Sequence, residues 1–130
     1  MLPLILLVDD NEDVRLLGSF VLTNLGFSCI TAHNGQTALA LSQEHLPALI
    51  LLDIVMPEMD GLEVVRQLKA DSRTAVIPVV ALTCMAMDGD REKILAAGCD
   101  DYLRKPFQLE ELEILVQRYL NSPTHVLTDS

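Results

Sequence analysis

Two unbroken apolar runs stand out along the chain, Leu4-Ile5-Leu6-Leu7-Val8 and Leu49-Ile50-Leu51-Leu52. Consecutive apolar residues without alternation suit strands buried on both faces, as in a parallel sheet. Each run stops abruptly at acid, Asp9-Asp10 after the first and Asp53 after the second. Pro78-Val79-Val80-Ala81-Leu82-Thr83 predicts another such strand, with Pro tolerable only at its first position. Shorter strands are predicted at Ser28-Cys29-Ile30-Thr31-Ala32 and Asp101-Tyr102-Leu103.

Between these runs the apolar period becomes helical. Val14, Leu17, Val21, Leu22 and Leu25 share a spacing, with Asn11 as cap and Gly26 as stop. A second helix is capped by Asn34, runs to about Glu44 and is ended by His45-Leu46-Pro47. Pro57 and Asp60-Gly61 punctuate the loop after Asp53. Asp60 and Glu63 have capping-box spacing for a third helix, with Leu62, Val65 and Leu68 on one face. A fourth runs from Asp88 to Ala97 and stops at Gly98; a fifth follows Lys105-Pro106-Phe107, with Leu112, Leu115, Val116 and Tyr119 in register. Glu110, Glu111 and Glu113 in its first turns favour the helix dipole.

Five strands alternating with five helices predict an α/β fold: a doubly wound, five-stranded parallel sheet in the order 2-1-3-4-5, covered on both faces by right-handed crossovers. The domain is expected to span 1-121, with 122-130 as a polar tail or the start of a linker.

At 130 residues, half of them apolar, the chain has the length of one domain and the means for a real core. Nineteen acids against 9 Lys and Arg give a net charge of −10, which argues against direct nucleic-acid binding and against an anionic membrane surface. Cys29, Cys84 and Cys99 show neither a disulfide framework nor zinc-ligand spacing. The N-terminal apolar run lacks the length and basic flank of a signal peptide or span, so a cytoplasmic location is expected.

All parallel strands end on one edge. Asp9, Asp10, Asp53, Thr83 and Lys105 therefore converge on a single crevice, where open α/β sheets place their ligands. Singly, each has a plainer use: Asp as a helix cap or turn residue, Lys as a solvated charge. Together they give three acids, a hydroxyl and a cation. Three carboxylates repel, and a hard divalent cation such as Mg²⁺ offsets this through oxygen ligands while leaving room for a phosphate oxygen. Asp53 is then a nucleophile toward phosphorus, with Lys105 and Thr83 stabilising charge on the phosphoryl oxygens.

These residues, with Met56-Pro57, Asp60-Gly61 and Lys105-Pro106-Phe107, resemble the receiver domain of bacterial two-component response regulators, chemotaxis regulators included, from Ile5 to about Leu120. The resemblance implies a flavodoxin-like fold. It implies that Asp53 takes a phosphoryl group from a phosphohistidine on a histidine kinase or histidine phosphotransfer protein. Asp10 and Asp53 would hold Mg²⁺ directly, Asp9 through water, and Val55 through its carbonyl. Lys105-Pro106 would be cis, as is frequent in the family. Thr83 and Tyr102 would form a switch that remodels the face of the fourth helix, fifth strand and fifth helix, where a downstream protein or output domain docks. Cys84 stands where Ala is usual. Val55 and Met85 occupy lifetime-tuning positions; both are apolar, which implies slow self-dephosphorylation.

Two other readings compete. A phosphatase acting on free substrates needs a second acid two residues after the nucleophile, and that position is Val55. A phosphorylation-independent docking module would not need the full set of site residues.

Overall fold

The computed structural model describes residues 2–56, 60–84 and 89–120. The element order is β1 (Leu4–Val8), α1 (Glu12–Asn24), β2 (Ser28–Ala32), α2 (Gly35–His45), β3 (Leu49–Asp53), α3 (Gly61–Ala70), β4 (Val79–Thr83), α4 (Asp90–Ala97), β5 (Asp101–Arg104) and α5 (Leu109–Tyr119). The strands form one sheet, β2-β1-β3-β4-β5, with every pair parallel. The expected order is borne out.

The unbroken apolar runs have a simple cause. Side chains alternate across a strand, and here both faces are covered. Leu6, Val8, Ile50, Leu52, Val79 and Ala81 point into one core, shared with Val64, Val65 and Leu68 of α3 and Ile94 of α4. Ile5, Leu7, Leu49, Leu51, Val80 and Leu82 point into the other, shared with Leu22 of α1 and Leu112, Leu115 and Val116 of α5. Thus α2, α3 and α4 pack on one side of the sheet, and α1 and α5 on the other.

Local signals set the helix ends. Asn11 Oδ1 accepts from Val14 N at 3.2 Å, and Asn34 Oδ1 from Thr37 N at 2.8 Å. Asp60 Oδ1 accepts from Leu62 N at 3.0 Å. The expected capping box with Glu63 does not form: Glu63 reaches forward to Arg66 and Gln67, both at 3.4 Å. At α5 a box is present, with Gln108 N donating to Glu111 Oε1 at 2.8 Å. Asp88, expected to open α4, lies outside the described residues, as do Pro57, Met85 and residues 121–130; α4 starts at Asp90 after Gly89. Leu17, expected on the buried face of α1, is 57% exposed, because α5 leaves a gap above it.

The connection from α3 to β4 is tied by polar contacts that apolar spacing does not reveal. Lys69 Nζ donates to Ile77 O at 2.7 Å, to Ala75 O at 3.2 Å and to Asp100 Oδ2 at 3.2 Å. Asp100 Oδ2 also accepts from Val79 N at 2.8 Å, so one carboxylate pins the starts of β4 and β5.

Gly61 is more than loop punctuation. A Cβ there would lie 2.5 Å from Ile54 Cα, 2.7 Å from Ile54 O and 2.9 Å from Asp53 O. These are backbone atoms and cannot rotate away, so α3 can approach the end of β3 only through a glycine. Gly61→Ala is expected to lower stability by about 1–3 kcal/mol, read as a reduced urea midpoint, and to displace the backbone amide signals of Asp53 and Ile54.

Candidate functional site

The C-terminal edge of the sheet carries the expected residues. Asp9 directly follows β1 and is 1% exposed. Four contacts fix it: its N–H donates to Ala32 O at 3.1 Å, Oδ1 accepts from Asn11 N at 3.0 Å, Oδ2 accepts from Lys105 Nζ at 2.7 Å, and its carbonyl accepts from Arg15 Nη1 at 2.7 Å. Asp53 ends β3 and is buried; Oδ1 accepts from Val55 N at 3.0 Å, and Oδ2 lies 3.7 Å from Lys105 Nζ. Asp10 is exposed at the mouth. One carboxylate oxygen from each of Asp9, Asp10 and Asp53 can be chosen so that all three lie within 4.8 Å of one another.

Lys105 is brought in by backbone. Its N–H donates to Thr83 O at 2.7 Å, which docks the segment after β5 onto the end of β4, and the Lys105–Pro106 peptide is cis. Thr83 is fully buried at the end of β4. Val55 is 53% exposed beside Asp53. Tyr102, half-buried on edge strand β5 and opposite Ala81, packs against the core beneath α3 and α4. It lies on the strand that leads into Lys105, three residues before it. On the far side of Lys105 and Pro106, an apolar cavity of about 480 Å³ opens between α1 and α5, lined by Leu17, Val21, Leu109 and Leu112.

The electrostatics follow from burial. Desolvation pushes the Asp53 carboxyl up to about 6. Lys105 and the Val55 amide pull it down, while Asp9 and Asp10 add to the rise. For Lys105, burial disfavours the ammonium, but the hydrogen bond to Asp9 and the charges of Asp53 and Asp9 outweigh it, and its pKa is raised. The lysine therefore stays charged, and the crevice is short of positive charge by more than one unit. Hard oxygen donors this close together fit a small divalent cation such as Mg²⁺.

Two neighbours of the site escape apolar periodicity. Arg15 is the single cation of α1, and Gly61 braces the backbone of Asp53. Only its being a lone cation just after four acids, Asp9, Asp10, Glu12 and Asp13, could have flagged the first.

A pH dependence follows for the metal-free protein. Between 3.8 and about 6 the folded state holds the Asp53 proton that the unfolded chain has released. Stability therefore falls as pH rises through this window, and the cost is complete above it. Asp53→Asn is expected to be more stable than wild type at pH 7, by about 1–2 kcal/mol once solvent screening is allowed for, and no more stable at pH 4. Paired urea melts at the two pH values check this.

Comparison with known proteins agrees with the geometry. A family model described as the response regulator receiver domain matches residues 5–117. The polar-differentiation response regulator DivK of Brucella anthropi is 40% identical over 116 residues, 89% of this chain and 94% of that protein. The chemotaxis response regulator CheY4 of Vibrio cholerae superposes with a TM-score of 0.87 at 32% identity, covering 92% of this chain and 100% of its own. The receiver domain of the sensor histidine kinase PA1611 from Pseudomonas aeruginosa PAO1, crystallised with a magnesium ion coordinated in its active site cleft, gives a TM-score of 0.85 at 34% identity, covering 94% and 100%. Among the described residues no helix is long and apolar enough to cross a membrane. The chain belongs to the receiver domains of response regulators, the signalling modules of two-component systems.

Proposed function

We propose that Asp53 is the phosphoacceptor of this receiver domain and that the crevice around it is a Mg²⁺ site. The supporting observation is the meeting, at one sheet edge, of three carboxylates and the Lys105 ammonium. Asp10 and Asp53 would hold the cation, with Asp9 acting through water and the carbonyl of Val55 completing the protein's share. The cation would neutralise charge on the phosphoryl oxygens.

The chain's own residues do the rest. A carboxylate oxygen of Asp53 attacks phosphorus in line. The O–P bond forms as the P–N bond of a phosphohistidine breaks, and the imidazole nitrogen leaves with the bonding pair and takes up a proton. Lys105, 2.7 Å from Asp9 and 3.7 Å from Asp53, is within a short swing of the new phosphoryl oxygens. The Thr83 hydroxyl supplies a further donor, and its movement would let Tyr102 turn inward, biasing an equilibrium between two arrangements of the face made by α4, β5 and α5. The donor is a histidine kinase or a histidine phosphotransfer protein. The reader of the switched face is a downstream protein or an output domain. This reading places the protein in the cytoplasm, takes 1-121 as the receiver domain and 122-130 as a tail or linker, and gives it no free substrate to turn over.

Incubation with acetyl phosphate, with and without Mg²⁺, tests the central claim by intact mass. Wild type is expected to gain one phosphoryl group only with the cation, and Asp53→Asn none. Equal uptake by Asp53→Asn would reject Asp53 as the acceptor, and no uptake by wild type would favour a docking module.

Val55 offers no hydrogen bond from its side chain to an attacking water, and it stands exposed beside the acceptor. Val55→Asn with Met85→Glu is expected to shorten the phosphoryl half-life several-fold, followed as loss of the phosphorylated mass over time.

A further inference from the structure

Of the three acids in the crevice, Asp10 alone has a carboxylate that accepts no hydrogen bond among the described residues. Asp9 is bonded by Asn11 N and Lys105, and Asp53 by Val55 N. Asp10 is exposed. Its oxygen nevertheless comes within 4.8 Å of oxygens of the other two acids. A carboxylate at liberty would turn toward water and away from like charges. The backbone must therefore aim it.

That backbone is held at one peptide. Asp9 N is fixed to Ala32 O at 3.1 Å, on the β2 side. The next peptide group, between Asp9 and Asp10, is held by its oxygen, which accepts from Arg15 Nη1 at 2.7 Å. Arg15 is itself anchored, its N–H donating to Asn11 O at 3.1 Å in the first turn of α1. The guanidinium makes no ion pair within 4.0 Å among the described residues, although Glu12 stands one helical turn before it. A full charge with five donors is committed to one carbonyl.

We propose that Arg15 is a positioning residue: by fixing the plane of the Asp9–Asp10 peptide it aims the Asp10 carboxylate at the place a divalent cation takes. The proposal rests on the reading of the crevice as a Mg²⁺ site. Arg15 touches neither cation nor phosphoryl group; it acts through Asp10. Groups that orient metal ligands from behind typically change affinity about 10–100-fold when removed.

The test is a Mg²⁺ titration of the full chain followed by ¹H–¹⁵N amide shifts of Asn11 and Val55. Four proteins are compared: wild type, Arg15→Met, which keeps an apolar stem and loses the donors, Asp10→Asn, and the double variant. Wild type is expected to bind. Arg15→Met is expected to bind about tenfold more weakly, with its amide spectrum otherwise native. In the Asp10→Asn background the same substitution is expected to change affinity less than twofold, because its target is gone. Unchanged affinity in Arg15→Met, or an equal loss in both backgrounds, would overturn the proposal. Failure of wild type to bind would instead overturn the Mg²⁺ reading beneath it, and the inference with it. Should Arg15→Met not fold, Arg15→Gln carries the same comparison.

Discussion

Lys105 and Asp9 meet at 2.7 Å, with the aspartate almost wholly buried. This contact is what makes the acidic edge of the sheet tolerable. Parallel strands deliver Asp9 and Asp53 side by side from β1 and β3, and removing two carboxylates from water costs several kcal/mol unless charge and hydrogen bonds offset it. One ammonium serves both, bonded to Asp9 and 3.7 Å from Asp53. The raised carboxyl of Asp53 shows that the offset is incomplete. A site left with surplus negative charge favours a cation. The apolar body of the fold bears the cost, since β1, β3 and β4 are buried along nearly their whole length.

Support for the site is layered behind it. The amides of Asn11 and Val55 each bond the carboxylate two residues back, so the loops after β1 and β3 close on their own acids. Gly61 lets α3 sit directly against the backbone of Asp53 and Ile54. The Lys105 N–H on Thr83 O joins the last strand's exit to the fourth strand's end. Away from the crevice, Lys69 and Asp100 knit the opposite ends of β4 and β5. The sheet is thus held at both edges by polar bonds and through its middle by two apolar cores.

Much of this was legible before any coordinates. Strands buried on both faces betray themselves as unbroken apolar runs, and residues at parallel strand ends must share an edge, so alternation of five strands with helices, chain length and the doubly wound rule led to the order of the sheet and to the crevice. Spacing carried less information about side-chain direction. Leu17 fits the period of α1 yet stands exposed, as do Leu16 and Phe20, because apolar periodicity reports a stripe and not what covers it. Glu63 fits a capping box and turns elsewhere. That Lys105 bonds Asp9 more closely than Asp53 depends on ångström-scale positions that no residue pattern encodes. Lys69, Arg15 and Gly61 act through backbone groups, and every residue has those, so such partners leave almost no mark on a sequence.

The Lys105–Asp9 contact joins positions 96 residues apart. During synthesis the acids of the first and third strands leave the ribosome well before the lysine that neutralises them. A nascent or truncated chain ending before β5 therefore carries both acids without their counter-charge. The acidic edge is balanced only once the segment beyond the closing strand has been made.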